Sequence, residues 1–199
     1  MGGLTLWTIG HSVRPADELV EMLKRARIGR LVDVRRFPAS RRHPQFNREA
    51  LEQRLADEGI GYRWAGEALG GRRKPHPGSP NGGLRNASFR AYADYMASAE
   101  FKAGASELID EARGTRLAIM CAEHHPSRCH RRLIADWLSV HGVEVTHLIE
   151  PDRTEAHHMT PGGVPSEGGV AYPGNDAQLP LLDTSPGGKP KRSGSRGSR

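Results

Sequence analysis

The run Cys121-Ala122-Glu123-His124-His125-Pro126-Ser127-Arg128-Cys129-His130-Arg131-Arg132 is the densest collection of reactive side chains in the chain. These residues include both cysteines, three of the ten histidines, one glutamate and three arginines. Cysteine reacts as its thiolate, which is favoured near a helix N-terminus or beside cations. Cys121 ends an apolar run that reads as a buried strand, and a helix is expected from about Ser127 to His141. Cys129 is then expected in the first helical turn, close in sequence to Arg128, Arg131 and Arg132. The functional reading makes one cysteine a nucleophile or the two a redox pair. The plain reading makes Cys121 an apolar residue at a strand end, since free cysteine is often buried.

Glu123 and Asp33 are candidate acid–base groups, and His11 and His130 candidate proton carriers. Either carboxylate could instead be the ion-pair partner of Arg35 or Arg131. The types Cys121, His124 or His125, Cys129 and His130 suit zinc. Adjacent residues rarely point at one ion, however, so no metal ligand is assigned and the cofactor is left open. His43, His76, His141, His147, His157 and His158 read as ordinary surface histidines. Phosphatase and rhodanese loops place five residues between cysteine and arginine. Here six separate Cys121 from Arg128, with no glycine among them, so that comparison remains an analogy.

The elements that must position these groups alternate. Strands are expected at Leu4–Ile9, Arg30–Val34, Gly61–Ala65, Arg116–Cys121 and Glu144–Ile149. Between them lie helical patterns: one after Pro15 with Leu19, Val20 and Leu23, and one capped by Asn47 with Leu51 and Leu55. Others begin near Ser88, Ser98 and Ser127. The pattern predicts an α/β fold, a single domain with a mainly parallel sheet flanked by helices. Ligands of such sheets bind outside the carboxyl ends of the strands. Gly10, His11 and Ser12, then Asp33 and Arg35, then Gly70 and Gly71, then Cys121 and Glu123, all follow expected strands. Two long loops carry Arg35, Arg36, Arg41, Arg42, Arg72, Arg73, Lys74 and Arg85, a cationic rim suited to phosphate. Phe37, Phe46, Tyr62 and Trp64 could stack on bases, or Phe46 and Trp64 could belong to the core.

The formal charge is +6, but residues 185–199 hold five cations and no acid, so most of the excess belongs to the C-terminus. Residues 1–150 are expected to form the α/β domain. Residues 151–184 are expected to be a loosely packed extension, and 185–199 a disordered basic tail. No apolar run approaches the ~18 residues of a membrane span. The first residues lack the pattern of a signal peptide, and Leu6 stands where a myristoylation motif needs Ser or Thr. Two cysteines without a secretory signal fit a reducing compartment, so a cytoplasmic location is expected.

Five ordered blocks resemble one family. They are Thr8-Ile9-Gly10-His11-Ser12; Asp33-Val34-Arg35 with Pro38, Ser40 and Arg41; Leu69-Gly70-Gly71; Asn86 with Ser88-Phe89-Arg90 and Tyr92-Ala93; and Cys121-Ala122-Glu123 with Cys129-His130-Arg131. Together they are similar to domain-of-unknown-function family 488 over about residues 4–150. His158-Met159-Thr160-Pro161 and Tyr172-Pro173 resemble its C-terminal extension. The resemblance implies a small prokaryotic α/β protein and supplies no substrate, cofactor or catalytic residue.

These residues predict an enzyme acting on an anionic, phosphate-bearing substrate such as a nucleotide or nucleic acid. Its expected catalytic residues are Cys121, Glu123, His11 and His130. Gly10, Ser12, Asp33, Arg35, Ser40, Arg41, Gly70, Gly71, Cys129 and Arg131 are expected to bind substrate. The alternatives are a nucleic-acid-binding module associated with repair and, third, a zinc-stabilised interaction domain.

Overall fold

The computed structural model describes residues 3–174. In chain order the elements are β1 (Thr5–Gly10), α1 (Ala16–Arg25), β2 (Arg30–Asp33), α2 (Arg48–Ala56), β3 (Gly61–Trp64) and the short α3 (Gly66–Leu69). Then follow α4 (Ala87–Tyr95), α5 (Ala99–Gly114), β4 (Leu117–Cys121), α6 (Arg131–Val140), β5 (Glu144–Glu150) and β6 (Arg153–Ala156). A hairpin, β7 (Val164–Ser166) and β8 (Gly169–Ala171), ends the described chain. The sheet has the order β3-β2-β4-β1-β5-β6 and is parallel except for β6, which runs against β5. The fold is therefore the expected α/β one. No helix among the described residues is long and apolar enough to cross a membrane.

Side chains of a strand alternate between the two faces of its sheet. In β4, Leu117, Ile119 and Cys121 join the core under α4, α5 and α6, whereas Ala118 and Met120 join the core under α1 and α2. Both faces of β4 are buried, which explains its unbroken apolar run. Asn86 and Ser98 cap α4 and α5 by accepting from backbone N–H groups in the first turns. Asn47 precedes α2, but its side chain accepts from Ser40 N at 2.6 Å. It therefore closes the preceding loop rather than capping the helix.

The chain beyond β6 is tied to α6 through Asp136, which is fully buried. The Asp136 carboxylate accepts from Tyr172 Oη at 2.6 Å, Thr160 N at 2.8 Å and His157 Nε2 at 2.8 Å. His157 in turn meets His147 at 3.0 Å, and His147 meets Thr8 Oγ1 at 2.7 Å. His147 is buried, and the side chain of His157 is 3 % exposed, so neither is the surface histidine expected from the sequence. Burial first, then the neighbouring His157, lowers the pKa of His147 to about 3, so it is neutral. Thr160, Val170 and Tyr172 of the extension are buried. The rest of the extension, from residue 175, and the basic tail at 185–199 lie outside the described residues.

Replacing Asp136 by Ala strands three buried donors at once. We expect Asp136→Ala to cost about 3 kcal/mol, read by urea unfolding, and to speed amide exchange around Thr160 and Tyr172. An unchanged exchange rate there would mean that the extension is held by other contacts.

Candidate active site

Because Cys121 shares the face of Ile119, it points toward the start of α6. The chain leaves β4 through a short loop and a 3-10 turn at Pro126–Arg128. Cys129 is then extended, at φ −131° and ψ 143°. His130 is helical, at φ −59° and ψ −22°, and α6 proper begins at Arg131. The helix thus starts later than the expected Ser127, and Cys129 stands before it rather than in its first turn. Proline at the turn and the two arginines after His130 explain why the sequence pattern looked helical too early.

This switch from extended to helical backbone turns two adjacent side chains the same way. The Sγ atoms of Cys121 and Cys129 lie 3.7 Å and 3.8 Å from His130 Nδ1. All three donor atoms fall within 4.8 Å of one another. His130 Nε2 lies 3.2 Å from the Val34 carbonyl and donates to it, which leaves Nδ1 facing the sulfurs. Tyr92 packs edge-on against the imidazole at 4.9 Å. A Cβ on Gly71 would approach Nδ1 to 3.1 Å, so glycine there gives the ring its space.

The two thiols are free and buried. Burial, the largest influence on Cys129, pushes its thiol up. The hydrogen bond from Cys121 reverses this, with His130 and Arg131 adding to it, and the pKa falls well below that of an ordinary cysteine. Cys121 donates that hydrogen bond and is pushed well above the ordinary value, burial adding to the effect. The two thiols thus form a coupled pair, Cys129 shifted toward the thiolate and Cys121 toward the thiol.

Arg131 is wholly buried. Its guanidinium donates to the Glu123 and His124 carbonyls, the latter at 2.6 Å. No carboxylate pairs with it among the described residues. On the other side of the same loop, a Cβ on Gly10 would collide with those two carbonyls. His11 N and Ser12 N continue the pairing of β1 with β4 by donating to the Cys121 and Ala122 carbonyls at 3.0 Å and 2.9 Å. Gly10, Ser12 and Arg131 thus shape the loop that carries Glu123, and none of the three lines the cavity.

The triangle of Cys121, Cys129 and His130 lines a cavity of about 340 Å³. Glu123, Arg35 and Gly71 from the expected set also line it. Its remaining wall comes from Arg36, Phe37, Arg72 and Arg128 around the mouth, and from Ser88, Phe89 and Tyr92 of α4. Arg36 and Arg72 belong to the cationic rim expected from the sequence and Phe37 to its stacking aromatics, whereas Arg128, Ser88, Phe89 and Tyr92 were not among the expected site residues. Their signal was present in the basic loop and in the Ser88-Phe89…Tyr92 block, but nothing in the spacing put α4 over the cysteines. Phe37 is 63 % exposed and carries the Arg72 guanidinium 5.7 Å from its ring.

His11, Asp33 and Arg35 form a second cluster, largely on the opposite face. Asp33 is fully buried and binds Arg35 through both oxygens, with Tyr62 Oη donating at 2.8 Å. Arg35 also donates to the Phe46 carbonyl at 2.8 Å and to His11 Nε2 at 3.2 Å. His11 stacks on the buried Phe46 ring at 4.4 Å and donates from Nδ1 to the Ser12 carbonyl. Burial, then the Arg35 charge, lowers the His11 pKa to about 4. This cluster joins the exits of β1 and β2 to the Pro44–Phe46 turn, and its guanidinium is fully committed. Ser40 accepts from His43 N in the basic loop; neither it nor Arg41 lines the cavity. Gly70 packs against Gly66 and Arg36, behind the wall.

A family model described as "Domain of unknown function DUF488" matches residues 15–138. No curated protein and no solved structure matches the chain.

Two predictions follow from this geometry. Unfolded His11 takes up its proton near pH 6.5, whereas the folded group does so only near 4. The stability it contributes is therefore complete above 6.5 and is lost as pH falls toward 4, with His147 acting in the same sense. We expect His11→Asn to reduce that acid-side slope, by on the order of 1–3 kcal/mol between the two limits, in urea melts across the range. For the loop, Arg131→Met leaves two carbonyls unpaired and should cost about 2–4 kcal/mol. Faster amide exchange in residues 122–126 would locate the damage there; uniform exchange would contradict the assigned role.

Proposed function

The chain belongs to the DUF488 family, and because that membership carries no reaction we propose a function from the cavity itself: an enzyme acting on a phosphate-bearing substrate with an aromatic base, of the nucleotide class. The observation that carries the reading is the placement of the Cys121–Cys129–His130 triangle at one cavity whose mouth is cationic and aromatic.

Three arginines at that mouth, Arg36, Arg72 and Arg128, have no carboxylate partner among the described residues, and Arg36 donates only to the Glu67 carbonyl. Guanidinium groups left in this condition suit phosphate, which they can grip through paired N–H donors. Arg35, by contrast, spends its donors on the protein, and Arg131 commits both terminal nitrogens to the loop carbonyls. Phe37 offers an exposed ring at the same rim, and stacking on an aromatic ring is tolerant of base identity. Glu123 is exposed on the wall beside the triangle, without an ion pair among the described residues, and is placed to exchange a proton with bound substrate. Cys121, Cys129 and His130 form the reactive centre. Thiols kept reduced suit a cytoplasmic setting.

The test is calorimetric titration of the whole chain with nucleoside monophosphates and with inorganic phosphate, followed by turnover assays on the ligands that bind. Arg72→Ala and Arg128→Ala should each weaken both ligand types about 10-fold. Phe37→Ala should weaken only the base-bearing ones, by about 1–2 kcal/mol. Turnover should disappear in Cys129→Ser and fall in Glu123→Gln. Binding that ignores all three rim substitutions would overturn the site, and binding without any turnover would make the protein a recognition module.

A further inference from the structure

We infer that Cys121, Cys129 and His130 are the three protein ligands of a mononuclear site for a thiophilic divalent metal ion of the zinc type, with its fourth position toward the cavity. The inference rests on the same cavity as the proposed function and names the centre that would serve it.

Distances come first. A tetrahedral ion ~2.3 Å from sulfur and ~2.0 Å from nitrogen sets its sulfur and nitrogen ligands about 3.6 Å apart. The two sulfur–nitrogen separations here are 3.7 Å and 3.8 Å. Ordinary packing does not require both cysteines to be nearly equidistant from one imidazole nitrogen. The orientation of the imidazole agrees. Ligating histidines characteristically donate their other ring N–H to a carbonyl or carboxylate, which fixes the tautomer and aims the free nitrogen at the ion. His130 does this through Nε2 and the Val34 carbonyl, leaving Nδ1 on the sulfur side.

The supporting shell is built to the same end. Tyr92 backs the ring, and its hydroxyl donates to the Leu69 carbonyl at 2.6 Å. Gly71 leaves the Nδ1 side open at the point where a methyl group would crowd it. Cys121 is set by the end of β4 and Cys129 by an extended residue just before α6, so neither sulfur depends on a flexible loop tip.

Donor chemistry narrows the ion. Two thiolates and an imidazole select zinc-like ions over hard cations such as Mg²⁺ or Ca²⁺. Three protein ligands rather than four is the ligand count of catalytic zinc, which keeps one position for water or substrate. Here all three ligands line the cavity, and the rest of its wall includes Glu123 and Arg128. On binding, two metal–sulfur bonds and one metal–nitrogen bond would form in exchange for waters of the hydrated ion, and the protons held by the thiols would pass to solvent. A divalent ion balanced by two thiolates leaves the nearby buried Arg131 as net positive charge, which favours an anionic ligand in the cavity.

The experiment uses reduced, full-length protein stripped with a chelator and titrated with Zn²⁺ against a chromophoric competitor. One Zn²⁺ per chain is expected, with Co²⁺ giving a thiolate charge-transfer band at the same stoichiometry. Cys121→Ser, Cys129→Ser and His130→Ala should each weaken Zn²⁺ by at least 100-fold. If those variants do not fold, alkylation of the wild-type thiols decides. Zn²⁺ should protect both, and chelator should restore their reactivity. Absence of stoichiometric Zn²⁺ and Co²⁺ binding, unchanged affinity in folded cysteine variants, or thiols alkylated equally with and without Zn²⁺ would each overturn the site. Arg72→Ala and Arg128→Ala separate the two readings. They should lower nucleotide binding while leaving Zn²⁺ stoichiometry intact. Nucleotide binding in a chain that takes no metal would remove the metal and leave the substrate reading standing.

Discussion

A buried guanidinium organises the centre of this protein. Arg131 has lost its contact with water, and two backbone carbonyls of the β4–α6 loop replace part of that solvation. Removing a charge from water is expensive unless its donors are satisfied, so the loop is held where those carbonyls are needed. The same carbonyls press against Gly10, which leaves no room for a side chain there. One interaction therefore joins the exits of β1 and β4 to the first residue of α6. Because Cys121 precedes the loop and Cys129 and His130 precede the helix, fixing the loop also fixes the distance between the two sulfurs and the imidazole.

The carboxyl edge of the sheet is divided between two tasks. Alternation along β4 sends Cys121 to the side of α4, α5 and α6, while Asp33 at the end of β2 turns toward Phe46, Tyr62 and His11. The first side meets a cavity lined by two thiols and an imidazole, with arginines at its mouth that have no carboxylate partner among the described residues. The second side is a closed ion-pair cluster in which Asp33, Arg35 and His11 satisfy one another. Both are rich in the residue types expected at active sites. Their hydrogen bonding separates them: Arg35 has its donors occupied, whereas the Arg72 and Arg128 guanidinium groups have no hydrogen-bond partner among the described residues.

Helix α6 connects this site to the chain beyond the sheet. Its N-terminal end carries the site, and its Asp136 gathers His157, Thr160 and Tyr172. The chain of hydrogen bonds reaches Thr8 in β1 through His147, so the extension is anchored to the sheet as well as to the helix. Buried polar networks of this kind restrict the arrangements a core can adopt, because partial satisfaction is costly. The end of α6 that borders the cavity is consequently braced from both sides.

Much of this is legible in the sequence alone. Alternating apolar runs and helical stripes determined an α/β fold with a mainly parallel sheet, since each pattern has one geometry that buries it. The concentration of cysteine, histidine and glutamate from Cys121 onward also marked the stretch whose two sulfurs and imidazole the fold gathers at one cavity. The sequence could not reveal that Cys129 and His130 face the same way, because that depends on one residue being extended and the next helical. It could not place Ser88, Phe89 and Tyr92 over the cysteines, since α4 reaches them only through tertiary packing. Nor could it distinguish the arginines that hold the fold from those left free. Arg35, Arg131, Arg72 and Arg128 are the same residue type in similarly basic surroundings. Only the tertiary structure decided which guanidinium groups had protein acceptors within reach, because those acceptors are backbone carbonyls and a carboxylate brought together by folding.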